Sequence, residues 1–429
     1  MPPRVPPAAS FERSCDRSGA PGSRVNSLRP FLPAALCLLL GISALGAQEA
    51  ARDPRAHTLE LGTDMLRFDQ PSTRLFLGWH RDVNALFRAG LDGTTVLLDL
   101  RRPGPWIERL GLLAVFAATN AAASRAFSIT AHDQAHMEAA LAIGASRAYL
   151  VHTSDPSVEM GIWEFLLEAF DPTREPGLYT YVVTAPTARQ MAYVAGEGLD
   201  TNLLIAATIA AAIDEGDGHV MDVAPYMLNK LWGVGYFQET GPTSDAVAYI
   251  GDLDQQGQVV SAQRVITLQA VSLLASGGFL SLVRGVIDFA ADGRASVQPL
   301  ALELGGASLC WPEVTTWLNP DNVSVQVSTR IRWGQRLVWW AGVDVPALGA
   351  GGAPELTLGC ALGLGPVRLE GEATDRDLGF PFVRCSLELD VGGGASIGAE
   401  GFYGQGATMR ELREYPAGPG VSAILRARL

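Results

Sequence analysis

From about Ser296 onward the sequence alternates apolar and polar residues with a period of two, in short runs broken by glycine, proline and aspartate. Leu300–Leu304, Val323–Trp333, Leu337–Val345, Leu356–Leu362, Val367–Glu372, Phe382–Leu389, Ser396–Phe402 and Val421–Leu429 are such runs. They recur at roughly ten-residue spacing, too short for intervening helices. Side chains along a strand point alternately to opposite faces, so this half of the chain is expected to form an antiparallel meander. About eight strands would give a closed or nearly closed sheet.

The preceding region has a different period. Leu110–Thr119 is apolar all round, Ala131–Gly144 reads as a second helix, and Asn202–Ile213 is an alanine-rich third. Val265–Phe289 is long enough for a tilted membrane span and equally suits a core helix. Thr94–Leu100 reads as a strand stopped by Arg102-Pro103-Gly104-Pro105. The expected fold is therefore α+β: an apolar, helix-rich domain over 55–292, followed by an antiparallel, barrel-like all-β domain over 296–429.

Residues 1–47 read as a signal peptide. Arg29 precedes the apolar run Phe31–Leu45, and small residues lead to Gln48-Glu49. The polar stretch before Arg29 is long, and a start near Val25 would shorten it. Only 18% of residues are charged against 48% hydrophobic, with a mean hydropathy of +0.16. Soluble domains carry about 25% charged residues, so membrane contact or deep burial is expected. A net charge of -13 excludes a nucleic-acid partner, which requires clustered cations. Beyond the leader, Cys310, Cys360 and Cys385 form no CxxC pair. One disulfide or three free thiols both fit. The last strand places Val421, Ala423, Leu425, Ala427 and Leu429 on one face. It resembles the closing strand of outer-membrane barrels, which implies cell-envelope or membrane components as partners and an exported location.

One constellation carries chemistry: His132-Asp133-Gln134-Ala135-His136. Histidines four apart share a helix face, so both imidazoles can reach one cation. The string resembles the HExxH helix of zinc metallopeptidases, with Asp133 where that family has Glu. The resemblance covers about five residues. It implies zinc held by His132 and His136, with Asp133 polarising a metal-bound water towards a peptide substrate. Asp is one methylene shorter than Glu, which puts that reach in question. A third ligand is required, and His219 ranks above His152, with Glu164, Glu168 and Glu197 as further candidates.

The same residues also fit structural roles. Thr130 and Asp133 suit the N-cap and N3 positions of a capping box. The histidines also suit core hydrogen bonding or haem ligation. The acids among Asp214–Asp222 read as a solvated loop, with His219 turning inwards. Two functions follow as expectations: a cell-envelope metal-dependent hydrolase, or a non-enzymatic envelope protein built on its β domain.

Overall fold

The computed structural model describes residues 58–62, 71–102, 104–171, 177–239, 241, 244–334, 337–349, 352, 354–376, 382–392, 394–404 and 418–428. The signal-peptide region, 1–47, lies outside these. A short strand, β1 (Thr58–Gly62), precedes helix α1 (Thr73–Leu97). Ser72 caps α1 by accepting the Leu75 amide. The strand expected at Thr94–Leu100 is the end of this helix. The Thr94 and Thr95 hydroxyls bond back to the Gly90 and Asp92 carbonyls, and Phe87 and Leu91 are buried below them. Packing here overrides a β-branched run.

Helix α2 (Trp106–Ala142) is continuous where two helices were expected. Thr130 is therefore no N-cap, because it lies in mid-helix with its hydroxyl on the Ala126 carbonyl. Asn120, which reads as a break, is buried and donates to Asn84 Oδ1 and the Met221 carbonyl. Near the start of α2, the buried Arg109 guanidinium binds the carbonyls of Leu100, Ala290 and Ala291.

Three short strands follow in part: β2 (Arg147–His152), β3 (Asp155–Met160) and β4 (Leu178–Val182), ordered β3-β2-β4. Helix α3 (Ile162–Ala169) joins the last two. Helix α4 (Ala188–Glu215) begins with a Thr187/Gln190 capping box and ends at Gly216, whose φ of 92° is left-handed. Its Ile205, Ile209 and Ile213 pack with Leu91, Leu282 and Phe289 in the largest core cluster. Full burial stabilises each such side chain by about 1.5–3 kcal/mol.

Helices α5 (Val223–Tyr236), α6 (Asp245–Gln255), α7 (Ala262–Ala275) and α8 (Gly277–Asp292) complete the helical body. The stretch expected as one helix at Val265–Phe289 is α7 and α8, bent by 51°. Ser276 is extended there, and the Gly277 amide donates to the Pro312 carbonyl. A Cβ on Gly277 would lie 2.3 Å from the Trp311 carbonyl oxygen, so the kink requires glycine. Among the described residues, α2 is the one helix long and apolar enough by itself to cross a membrane.

After the pair β5 (Gly218–His219) and β6 (Ser296–Val297) comes the large sheet. Its members are β1, β7 (Ala301–Leu304), β8 (Ala307–Cys310), β9 (Glu313–Leu318), β10 (Val323–Trp333), β11 (Leu337–Leu348), β12 (Glu355–Leu364), β13 (Val367–Arg376), β14 (Phe382–Gly392), β15 (Ala395–Gly404) and β16 (Gly418–Arg428). These eleven strands run β1-β16-β15-β14-β13-β12-β11-β10-β8-β7, with β9 on the first half of β10. The sheet is antiparallel and more strand-rich than the eight runs suggest, because β1 joins it and two unread strands, β8 and β9, lie between the first two runs. Among the described residues it remains open, with no β1–β7 pairing.

The sheet sorts its side chains in the opposite sense to a soluble sheet. In β14, Val383, Cys385, Leu387 and Leu389 face outwards, while Arg384, Ser386 and Glu388 face inwards. Register carries this sorting across the sheet: Leu425, Ile397 and Leu389 are neighbours outside, and Glu370, Ser386 and Glu400 inside. Many of the inward charges are paired, as burial favours. Arg384 meets Glu370 at 2.6 Å and Glu372 at 3.3 Å, and Arg426 meets Glu60 at 2.8 Å. Others reach the helices, Arg74 of α1 to Glu400 at 2.9 Å and Arg368 to Glu215 of α4 at 3.0 Å. Trp340 also faces inwards, over Gly359, where a Cβ would lie 2.1 Å from the indole. The three described cysteines are free: Cys310 buried, Cys385 exposed and Cys360 between.

Candidate metal centre

His132 and His136 lie one turn apart on α2 and face α4. The antiparallel helix meets them at Gly198, whose missing side chain makes the approach possible. A Cβ there would lie 2.3 Å from His136 Nε2 and 2.7 Å from the His132 ring. His136 is fully buried and His132 nearly so.

The hydrogen bonds around the two rings fix their tautomers. His136 Nδ1 faces the Val194 carbonyl, which only accepts, so this nitrogen carries the proton. His132 Nδ1 lies 2.9 Å from Asn202 Oδ1. A relay sets the orientation of that amide. Asn229 Nδ2 donates to the Pro225 carbonyl at 2.8 Å, leaving its Oδ1 to accept from Asn202 Nδ2 at 2.9 Å. Asn202 Oδ1 therefore accepts, and His132 Nδ1 is also protonated. In the neutral rings both Nε2 atoms carry bare lone pairs, and these face each other at 3.0 Å. Two lone pairs this close repel unless a cation or proton lies between them.

The third donor is Asp245, the first residue of α6. Its Oδ2 is 3.3 Å from His136 Nε2 and 3.9 Å from His132 Nε2. Tyr179 of β4 donates to Asp245 Oδ1 at 2.5 Å, and Tyr236 of α5 donates to Oδ2 at 3.0 Å. The Tyr179 ring stacks on His136 at 4.2 Å, and Tyr236 meets His132 edge-on at 5.7 Å. Burial, with the Asp245 charge beside them, raises both phenols well above their ordinary range, so they remain donors. Burial opposes ionisation of Asp245; when a proton sits on the imidazole pair, the His136 charge and hydrogen bonds from the rings lower it below the carboxylate range. Burial pushes Asp133 up to about 7, His132 partly offsetting and Asp245 adding to the rise.

Ligand atoms of His132, His136 and Asp245 all lie within 4.8 Å of one another. Zinc binds imidazole nitrogen at about 2.0–2.1 Å, so two tetrahedral nitrogens sit about 3.3 Å apart, near the spacing here. The expected third ligands lie elsewhere. His219 points to Asp92 Oδ1 at 3.4 Å, and the inward turn read from its flanking residues is as expected. The acids beside it are not a solvated loop. Asp214 and Asp222 are buried, Asp222 on Arg88 at 2.6 Å, and Glu215 holds Arg330 and Arg368. His152 groups instead with Glu164 and Glu168, and Glu197 is buried on α4 outside the triad.

Sequence reasoning missed Asp245, which follows Gly241-Pro242-Thr243-Ser244 and reads as an ordinary acid opening a helix. Asn202 carried a weak signal, a polar residue at the start of an apolar run. Tyr236, at helical spacing with Tyr226, Lys230 and Trp232, reads as a packing or interface residue. No family model matches the chain, and no curated protein or solved structure is significantly similar to it.

Proposed function

We propose that this chain is a metal-dependent hydrolase, with a divalent ion, most simply zinc, held by His132, His136 and Asp245. The supporting observation is the pair of converging Nε2 lone pairs, each fixed from behind by an acceptor on Nδ1. Such backing orients metal-ligating histidines and raises their basicity. Three protein donors leave one tetrahedral position for water, the arrangement of catalytic rather than structural zinc. The ion would lower the pKa of that water and supply hydroxide at neutral pH. Asp133, next to His132 in sequence, is the candidate base, and a peptide is the simplest substrate by resemblance to the HExxH enzymes. The leader-like N-terminus supports work in the cell envelope.

One observation favours a second reading, a structural metal in a non-enzymatic envelope protein. The site is deeply buried, and two phenols already occupy both oxygens of Asp245. Metal analysis of purified protein tests the shared premise: about one ion per chain is expected, and none after His132→Ala with His136→Ala. Failure to take up zinc, manganese or iron from excess would overturn both readings. Chelation then separates them. Loss of peptide hydrolysis with little change in Tm marks the enzyme, and a large fall in Tm without any activity marks the structural metal.

A further inference from the structure

The outward face of the sheet raises a question independent of the metal. Trp339, Leu358, Leu369, Leu387, Ile397 and Leu425, one from each of β11 to β16, stand about half exposed on it. Among the described side chains of these strands the outward rows hold no charge apart from Asp390 at a turn, while arginines and glutamates fill the inward rows. Water favours the reverse arrangement, since exposing this much hydrocarbon is costly.

Three further features point to one occupant. Strands β10 to β16 are each 10 to 12 residues long. A tilted strand needs about 9–11 residues to cross the hydrocarbon of a bilayer. Their connections alternate in length. At one end, 334–336, 365–366 and 393–394 are short, and at the other, 349–354, 377–381 and 405–417 are longer. Membrane barrels have this asymmetry, and a soluble meander has no need of it. Finally, an open sheet edge is excluded from lipid unless protein covers it. Here the β1 edge meets α1, where Asp82 Oδ1 accepts the Glu60 amide at 2.9 Å. Beyond β10 the sheet continues through β8 to β7, outside the seven long strands, and the Leu318 amide of β9 donates to Asp200 of α4 at 2.8 Å.

We infer that the outward face of β10–β16 is seated in the hydrocarbon of a lipid bilayer, with the helical body held on the charged inner face. The absence of charge across successive strands suits acyl chains, whereas a protein partner would be expected to meet a polar rim. The strands span, with their two ends at opposite surfaces.

Native Cys385 reports on this face. In full-length protein carrying Cys15→Ser, Cys37→Ser and Cys360→Ser, an environment-sensitive fluorophore on Cys385 is reconstituted into phosphatidylcholine–phosphatidylglycerol vesicles. Acyl chains brominated at mid-depth should quench it several-fold more than aqueous iodide does. Stronger quenching by iodide would place the face in water and overturn the inference. Protection from both quenchers, with a doubled mass by ultracentrifugation, would instead give the face to a second copy. Leu387→Arg provides a second readout. Recovery of folded, vesicle-bound protein should fall at least tenfold, whereas on a water-facing sheet the change would leave folding intact and improve solubility.

Discussion

Two buried histidine sites in the helical body both have acidic neighbours and differ in which nitrogen is free. At His132 and His136 each Nδ1 donates to an acceptor, so each Nε2 offers a lone pair. At His219 the order is reversed. Its Nδ1 accepts the Met221 amide at 3.1 Å, so in the neutral ring Nε2 carries the proton and faces Asp92. His219 is capping a 3-10 turn, with its own amide on Asp222 Oδ2, and has no lone pair left for a metal. Burial and acidic neighbours do not make a ligand. The hydrogen bond behind the ring decides.

The difference is best attacked at Gly198. Gly198→Ala should abolish metal retention, by 1000-fold or more in affinity, because the methyl must displace both ring ends. Alanine favours the helix by about 1 kcal/mol, so circular dichroism should show the fold intact. Retained metal in this variant would break the comparison.

A fourth buried histidine gives the next effect. Burial lowers His80 from 6.5 to about 4, with Asp222 opposing. A depressed base stabilises the fold above its unfolded value, and that contribution is lost as pH falls from 6.5 through about 4. Denaturant titrations should show stability falling by up to a few kcal/mol over that window, with the slope flattened in His80→Phe.

Asn202→Ala should weaken metal binding by about 10–100-fold, the usual consequence of removing a partner behind a ligand. Isothermal titration with zinc would detect it. The smallest effect on the metal is expected at His219. His219→Ala should lower Tm through loss of a cap of about 1 kcal/mol and the space it leaves, with metal stoichiometry unchanged. A loss of metal there would mean that the two sites act together.

What the sequence revealed divides along the same line. The pair His132 and His136 was readable because a helix brings residues four apart together by local geometry alone. Asp245 was not, since its approach to residues more than a hundred positions earlier depends on how α6 packs against α4. The inverted sorting of the sheet was partly visible, as period-two alternation needs no knowledge of neighbours. Thr94–Leu100 misled because its β-branched residues lie over a core that the sequence does not display. Helix α2 read as two helices because Asn120 and Thr130 resemble boundaries, and only their buried partners show otherwise.

The pairing of β1 with β16 has a consequence for how the molecule is made. Glu60 and Arg426, joined across these strands, are 366 residues apart. The ribosome must release the final strand before the first has a strand partner, so synthesis order and assembly order run against each other here. Contacts of such separation slow folding, and shortening the chain at its end would strand its beginning as well.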